Sequence, residues 1–410
     1  MASEAKVGGV GTESLLALLR DRGPLPMAEL SERRGVSRSK TGQDVAALRR
    51  LGLVADGGQA PSRGGRPSGI VTLSDHIRYA GVDIGATSIG VAITNGYCEV
   101  LDFVEEDADV RDGPEAILER VVDLITGLVP PSVTPVVGVG LGVPAPVSFS
   151  EGRSIVPPLM PGWDRYPIRD LLSEALGVPV TVDNDVNIMA LGEMHGGVAR
   201  GVSDFLFVKV GTGIGCGIVV HDQVYRGVDG CAGDIGHIRA GESTTLCHCG
   251  RIGCLEAEFG GAALARQAVV SAQSGDSPFL TRRLKEVGHL TAADVGAANA
   301  AGDAAATRLI RHGGHVIGEV LAGLVNFFNP SKIVLGGGLA QLGPLLLAEI
   351  RGVVLQRSTP LATTNLSVEL SGLGDLAGVT GAAWLASEHF IEAFDRHPAT
   401  EAAAPVGKTA

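Results

Sequence analysis

The residues best suited to chemistry lie close together, in the stretch AGDIGHIRAGESTTLCHCGRIGCLE from Ala232 to Glu256. This stretch contains four side chains of the kinds that bind transition metals, His237, Cys247, Cys249 and Cys254. Cysteines two positions apart rarely bridge each other, because their Cβ atoms point apart. One imidazole and three thiolates satisfy tetrahedral zinc, and Gly250 and Gly253 let a short loop fold around the ion. The spacing therefore predicts a structural zinc site. The alternative is three unrelated reduced cysteines in an interior.

The same stretch resembles the motif of a known family. A Gly-His pair, followed ten residues later by C-x-C-G-x-x-G-C-x-E, resembles the zinc motif of the ROK family (repressor, open reading frame, kinase). That family contains bacterial sugar kinases and sugar-responsive transcriptional repressors. The resemblance extends from about Glu13 to about Glu392, nearly the whole chain.

Length and composition indicate a soluble protein of two or three domains. The chain has 410 residues, 45% of them hydrophobic, and 59 glycines, which favours a glycine-rich α/β protein. No run of about 18 uncharged apolar residues occurs, and the N-terminus lacks the basic and then apolar pattern of a secretory signal. Six cysteines, three of them in the zinc stretch, fit a reducing compartment. We therefore expect a cytoplasmic protein with no membrane partner.

Charge is distributed unevenly along the chain. The net charge is −12, which by itself argues against a nucleic-acid partner. Residues 1–74, however, contain 11 Lys and Arg against 7 Asp and Glu, a net charge of +4. The remainder contains 22 against 38, a net charge of −16. A small basic module on a large acidic body predicts that only the module contacts DNA.

The N-terminal module has the pattern of a helix-turn-helix. Four leucines between Leu15 and Leu19 form one helical face, a second short helix ends at Gly35, and a third begins after it. The start of the third helix would present six side chains to base edges, Ser37, Arg38, Ser39, Lys40, Thr41 and Gln43. A glycine-rich hairpin with Arg63 and Arg66 follows, and its G-G-R-P resembles the wing of ROK repressors. The pattern predicts a DNA-binding winged helix. The alternative is a small helical interaction domain with an incidental arginine loop.

Three glycine turns, each at the end of a predicted strand, indicate a phosphate-binding cleft. Small residues let backbone N–H groups approach phosphate oxygens, and an acid at a strand end can hold hydrated Mg²⁺. Two of these turns, from different halves of the chain, resemble the actin-like ATPase fold of the ROK sugar kinases, which implies ATP and magnesium as cofactors. On that resemblance the nucleotide-binding residues are Asp83, Gly85, Thr87, Gly211, Thr212, Gly213, Gly336, Gly337 and Gly338.

A polar triplet, Asp183 to Asp185, ends another predicted strand and indicates a sugar site. An amide and a carboxylate at this place can hydrogen-bond sugar hydroxyls, or they can cap the helix that follows. The Asn-Asp pair before an alanine-rich helix resembles the ROK catalytic motif, in which Asp185 is the base that takes the hydroxyl proton. The resemblance places the sugar contacts on Asn184, Asp185, Asp234, His237 and Glu256. His237 would then use one ring nitrogen for zinc and the other for sugar.

Three positions depart from the pattern of the ROK kinases. Ala86 replaces the second glycine of D-x-G-G-T, Ala145 replaces the glycine of a Pro-Gly pair, and Asp234 replaces a glutamate. With the fused module, these departures favour a sugar-responsive regulator that acts as a repressor. The retained Asp185 and glycine turns favour an active ATP-dependent hexose kinase. A third hypothesis is a regulator whose body recognises a partner protein.

The predicted fold is α/β, with an N-terminal winged helix-turn-helix followed by a two-lobed actin-like body. The predicted divisions are a flexible N-terminus at 1–12, a winged helix at 13–74, a first lobe at 75–190 completed by a helix at about 378–395, a second lobe at 191–377 with the zinc loop at 232–256, and a disordered tail at 396–410. We expect a homodimer or higher homo-oligomer on operator DNA, because regulators of this kind read two half-sites.

Overall fold

The computed structural model describes residues 14–59, 68–129, 136–157, 160–241 and 243–396. The predicted flexible N-terminus lies outside these ranges, as do the two wing arginines, Arg63 and Arg66, and all but the first residue of the predicted tail. Helices and strands alternate along the described chain, which confirms the predicted α/β class.

The N-terminal module consists of short helices and a small antiparallel sheet. Its elements are α1 (Leu15–Arg22), β1 (Leu25–Pro26), α2 (Met27–Arg33), α3 (Arg38–Arg50), β2 (Val54–Gln59) and β3 (Gly69–Leu73). The Ser37 hydroxyl caps α3 by accepting a hydrogen bond from the backbone N–H of Lys40 at 3.2 Å. β3 lies between β1 and β2 and is antiparallel to both. Helix, turn, helix and hairpin follow in the order of a winged helix-turn-helix.

The first lobe is built on a five-stranded sheet. Its elements are β4 (Arg78–Ile84), β5 (Ser88–Asn95), β6 (Val100–Asp107), α4 (Pro114–Leu128), β7 (Gly138–Val143), β8 (Val147–Ser148), β9 (Arg153–Ser154), α5 (Ile168–Leu176), β10 (Val180–Asn184) and α6 (Asp185–Gly196). The strand order is β10-β7-β4-β5-β6. The first three strands of this lobe, β4, β5 and β6, form an antiparallel meander. β7 then pairs in parallel with β4, and β10 pairs in parallel with β7.

The second lobe repeats this plan. Its elements are β11 (Phe205–Val210), β12 (Ile214–Val220), β13 (Gln223–Val224), α7 (Leu255–Phe259), α8 (Gly261–Gln273), α9 (Pro278–Val287), α10 (Ala292–Ala300), α11 (Ala304–Phe328), β14 (Lys332–Gly336), α12 (Pro344–Arg357), α13 (Pro360–Thr363) and β15 (Ser367–Leu370). The last helix, α14 (Leu376–Arg396), follows β15 in the chain but packs against the first sheet. The strand order is β13-β12-β11-β14-β15, again an antiparallel meander with two strands added in parallel. Equivalent turns of the two sheets can therefore face one another.

Helices α6 and α14 form a layer between the two sheets, in backbone contact with each other and with the first sheet. A Cβ atom on Gly381 would lie 1.7 Å from the carbonyl oxygen of Ile188, and one on Gly81 would lie 1.9 Å from that of Val379. Only glycine permits so close an approach. On its other side, α6 shares a core with β11, β12 and β14 of the second sheet. A movement of one lobe relative to the other would therefore displace this helix pair.

Two structural features revise the predicted divisions. The lobe boundary predicted at residue 190 is wrong, because it falls inside α6, which continues without a break to Gly196. The chain passes between the lobes in the segment 197–204 instead. The module also shares a hydrophobic core with the body, to which Leu19 contributes from the module and Tyr79 and Trp384 contribute from the body. Across the described ranges, we find no helix with the length and apolarity needed to cross a membrane.

Candidate functional site

A cleft of about 1450 Å³ opens between the two lobes. It is lined by the β4–β5 turn, the start of α6, the β11–β12 turn, part of the predicted zinc loop and the segment after β14. The predicted sugar contacts all line it, Asn184, Asp185, Asp234, His237 and Glu256. So do the predicted nucleotide residues, Asp83, Gly85, Thr87, Gly211, Thr212, Gly213, Gly336, Gly337 and Gly338. Residues that are far apart in the sequence thus line one cleft.

The four predicted metal ligands lie together at the edge of the cleft. The ligand atoms of His237, Cys247, Cys249 and Cys254 are all within 4.8 Å of one another. The Sγ atoms of Cys249 and Cys254 are 3.6 Å apart, and the Sγ atom of Cys247 is 3.7 Å from Nδ1 of His237. A tetrahedron with Zn–S bonds of about 2.3 Å has edges of about 3.8 Å. The donor types and their spacing therefore fit zinc.

Two glycines in the left-handed region allow the loop to close around this cluster. Gly250 has a φ angle of 83° and Gly253 has one of 81°. L-residues with side chains rarely adopt these angles. A Cβ atom on Gly253 would also lie 2.8 Å from the carbonyl oxygen of Ser243. A hydrogen bond joins the two ends of the loop, from the backbone N–H of Ala240 to the carbonyl oxygen of Gly253 at 2.8 Å.

Two side chains extend from the metal cluster into the cleft. Nδ1 of His237 faces Cys247, whereas its Nε2 lies 4.0 Å from Oδ1 of Asp234. One ring nitrogen is thus directed to the metal position and the other to the cleft. Glu256, in α7 just after Cys254, accepts a hydrogen bond on Oε2 from the backbone N–H of Ile214 at 3.1 Å. Glu256 therefore connects the metal loop to the glycine turn between β11 and β12.

The glycine turns and Asp83 fit a nucleotide and its cation. The Oδ1 atom of Asp83 is buried and has no hydrogen-bond partner among the described residues. Burial raises the pKa of this carboxyl group to about 7. Gly337 has a φ angle of 85°, and a Cβ atom on it would lie 2.7 Å from the carbonyl oxygen of Val210. An unsatisfied carboxylate beside bare backbone turns suits a hydrated cation and phosphate oxygens. If a nucleotide bound in the cleft, Asp83, Thr87 and the glycine turns at Gly211 and Gly336 would be the groups placed to hold its cation and phosphates.

Helix α6 begins in the cleft with the predicted sugar and catalytic residues. The Asn184 Oδ1 atom accepts a hydrogen bond from the backbone N–H of Val186 at 2.9 Å, and its Nδ2 donates to the carbonyl oxygen of Ala145 at 3.0 Å. Asn184 therefore caps α6 while it lines the cleft. Asp185 is 4% exposed, and its Oδ2 forms an ion pair with the ammonium group of Lys209 from β11.

The preceding acid, Asp183, has a different environment. It is 1% exposed and forms an ion pair with Arg226 at 2.8 Å. Its second oxygen accepts a hydrogen bond from the side-chain amide of Asn187, also at 2.8 Å. Both carboxylate oxygens of Asp183 are therefore bonded to other protein groups, and this residue stabilises the end of β10. Asp185, in contrast, is the acid that lines the cleft.

Of the six residues at the start of α3 that were predicted to contact DNA, all but one are exposed. Ser37, Arg38, Ser39, Lys40 and Gln43 are exposed. The prediction for Thr41 is wrong, because this residue is 0% exposed and its hydroxyl donates to the carbonyl oxygen of Ser37 at 3.3 Å. It lies one helical turn before the buried Val45, on the face that packs into the module core.

At its other end, α6 reaches the N-terminal module through stacked side chains. The His195 ring lies on the Trp384 ring with centroids 3.5 Å apart and an interplanar angle of 10°. The Arg20 guanidinium, from α1, lies 3.9 Å from the Trp384 ring centroid, and its Nη1 is 3.5 Å from Oγ of Ser387. Burial lowers the pKa of His195 to about 3, so the ring is neutral and stacks without charge repulsion from Arg20.

Comparison with known proteins identifies the family. The sequence profile of the ROK family matches residues 79–389. A glucokinase of Halalkalibacterium halodurans is 35% identical over 76% of this chain and 95% of its own length. The chain belongs to the ROK family. The matched residues include the two-lobed body, the cleft and the metal cluster.

ROK relatives of two kinds are similar to this chain. The xylose repressor of Bacillus spizizenii is 27% identical over 96% of this chain and 98% of its own length, so the match includes the module. The crystal structure of a ROK transcriptional regulator, a homologue of the E. coli MLC protein, superposes with a TM-score of 0.78 at 25% identity over 92% of this chain and 95% of its own. A Streptomyces griseus glucokinase solved with glucose and AMPPNP gives a TM-score of 0.69 at 29% identity over 76% of this chain and 99% of its own.

Two features of the structure were not predicted from the sequence, the position of Lys209 in the cleft and the aromatic stack at the other end of α6. Lys209 is the one charged residue in the strand FLFVKV, and its position at the end of a buried strand was a usable signal. The stack of His195, Trp384 and Arg20 had no such signal, because its members come from α6, α14 and α1 and meet only in the folded chain.

Proposed function

We propose that this ROK protein is a sugar-responsive transcriptional repressor that binds operator DNA through its N-terminal module and a sugar in its interlobe cleft. The repressor relatives support this, because they match the module and the body together, whereas the glucokinases match only about three quarters of the chain. The exposed polar face at the start of α3 supports a major-groove contact. Zinc in the His/Cys cluster and a homodimer that reads two half-sites complete the proposal.

The continuous contact from the cleft to the module is the observation that carries this proposal. Asp185 is the first residue of α6, and His195, near the end of the same helix, stacks on Trp384. Trp384 in turn contacts Arg20 of the module. A helix is stiff along its axis, so a sugar that shifts the start of α6 also shifts the surface on which the module rests.

Sugar can change DNA affinity only by binding two states of the protein unequally. A sugar held by Asn184 and Asp185 on one wall, and by His237 and Glu256 on the other, stabilises a closed cleft. Closure moves α6 and α14 together because their backbones touch. The usual coupling of about 1–3 kcal/mol would change operator affinity roughly 5- to 150-fold.

The test is operator binding titrated with sugars. A duplex selected by the full-length protein from random sequences is labelled, and its affinity is measured by fluorescence anisotropy with D-xylose, D-glucose and other hexoses and pentoses. We expect one class of sugar to weaken binding, and Glu256→Ala to abolish that effect without changing affinity in the absence of sugar. An equal shift in both proteins would remove the assigned pocket. No shift with any sugar would favour a partner protein as the effector.

A hexose kinase is the second candidate, and the retained Asp185 with the glycine turns favours it. A coupled ATPase assay over the same sugars tests it. If turnover is found, Asp185→Asn should abolish it and leave sugar binding largely intact, since the amide keeps the shape of the carboxylate but cannot take a proton. Equal turnover in both proteins would exclude Asp185 as the base.

A further inference from the structure

The cleft contains its own positive charge at the position of the predicted base. Asp83 and Asp185 both line it, and Asp185 is buried. Among the described lining residues, the lysine and arginine side chains are those of Lys209 and Arg251. Arg251 is exposed on the metal loop, whereas the side chain of Lys209 is only 16% exposed and forms an ion pair with Asp185.

The strand that carries Lys209 directs it into this position. β11 is otherwise apolar and buried, and Lys209 lies next to its end, just before the Gly211 turn. A Cβ atom built on Gly211 lies 3.7 Å from Cε of Lys209, so the lysine stem runs beside the turn. Burial alone lowers the pKa of Lys209, but Asp185 and Asp83 outweigh it and the net direction is upward, so the ammonium stays charged.

Magnesium is held in proteins by one or two carboxylates together with substrate phosphates. A carboxylate that already pairs with an ammonium group attracts a divalent cation less, since the neighbouring charge repels it. We propose that Lys209 is the built-in counter-cation of the cleft, which takes the place of a divalent metal beside Asp83 and Asp185. This inference rests on the proposed function and deepens it: the cleft binds a neutral sugar reversibly and returns it unchanged.

The experiment measures Mn²⁺ binding, as a probe of the metal alone, by electron paramagnetic resonance on the full-length protein. Wild type and Lys209→Arg, which keeps the charge, should bind Mn²⁺ weakly in the cleft. Lys209→Met keeps most of the stem without the charge, and we expect it to bind about tenfold tighter or more, the scale on which one neighbouring unit charge changes ion binding. Adding Asp83→Asn to Lys209→Met should remove that gain, which assigns it to the cleft rather than to the cysteine cluster.

A packing role for Lys209 predicts a different result. If the stem only fills space, Lys209→Met is nearly neutral and Mn²⁺ does not affect it. If the charge matters, Lys209→Met lowers the thermal midpoint and Mn²⁺ restores it, whereas Lys209→Arg needs no rescue. Tight Mn²⁺ binding by wild type at Asp83, or no gain in Lys209→Met, would overturn the inference. Operator binding and its sugar response are measured separately on wild type, so failure of the proposed function is distinguished from failure of this one.

Discussion

The two ends of helix α6 differ in chemistry. The first residue, Asp185, lies in the cleft and forms an ion pair with Lys209 of the second lobe. Near the other end, His195 is uncharged and lies flat on Trp384. The first end is therefore held by a charge pair that a bound ligand can rearrange, and the second by close ring contact.

Under the proposed function, the cleft end of α6 senses the sugar and the module end transmits the response. Ion pairs can exchange partners when a sugar offers hydroxyl groups, so the cleft end is adaptable. A close-packed ring contact has no low-energy rearrangement and passes displacement on as a unit. The glycine contacts between α6 and α14 fix the geometry between the two ends. Changes at the cleft end should therefore alter the response to sugar, and changes at the module end should alter its transmission.

The largest effect is expected at the cleft end, from loss of the metal. Cys249→Ala should reduce zinc from about one ion per chain to none, because a closed structural site needs all four ligands. His237 then loses its fixed orientation, and the sugar response disappears. Zinc is measured by mass spectrometry and the response by anisotropy. The exposed Cys231, outside the cluster, supplies the control, and Cys231→Ala should keep its zinc. Full zinc in Cys249→Ala would mean that the ligand set is wrong.

At the module end, Trp384→Ala should destabilise the fold by about 3–5 kcal/mol, the usual cost of removing a large buried ring. Trp384 is 8% exposed and contacts both His195 and Arg20. Urea unfolding gives the free energy, and the sugar response of operator affinity should fall with it. Trp384→Phe keeps a ring in place and should retain most of the response. A full response in Trp384→Ala would show that the stack transmits nothing.

Acid should weaken the module end through His195. Its pKa is lowered to about 3 in the folded chain by burial, with Arg20 and Arg200 adding to the effect. The unfolded chain therefore binds a proton from about pH 6.5 downward and the folded chain does not. Stability falls as pH drops through that window, by about 2 kcal/mol between pH 7 and pH 5. His195→Phe should lack this component, which appears as the difference between the two unfolding curves. Parallel curves would contradict the assignment.

The smallest effect is expected from Thr41, which was predicted to contact DNA but is buried on the inner face of α3. Thr41→Val removes a hydroxyl that bonds to the carbonyl oxygen of Ser37, and this oxygen keeps the backbone N–H of Thr41 at 3.0 Å. We expect a loss of about 0.5–1.5 kcal/mol in stability and no change in operator affinity. Gln43→Ala, on the exposed face, should instead lower operator affinity and leave stability unchanged. If Thr41→Val were folded to the same extent as wild type but bound DNA more weakly, Thr41 would belong to the DNA interface after all.

The features that could be predicted before the fold was known are the local ones. The metal ligands lie within one short loop, so their spacing and the two left-handed glycines were enough to predict the cluster. Ser37 lies directly before α3, and the cap that it forms depends only on neighbouring backbone. The glycine turns and Asp185 were predicted because each comes at or just after the end of an apolar strand, a pattern that a few residues define.

The contacts between groups that are distant in the sequence, in contrast, are seen only in the folded chain. Lys209 reaches Asp185 from 24 positions away and Arg226 reaches Asp183 from 43, across two sheets whose pairing no local pattern specifies. Thr41 faces inward because the other helices of the module cover that side of α3, which helical periodicity near a polar N-terminus did not reveal. The stack of Arg20, Trp384 and His195 unites three helices from the start, end and middle of the chain. Local sequence fixes which groups are available, whereas long-range packing fixes their partners, because a side chain's charge and burial depend on neighbours that the chain brings together only on folding.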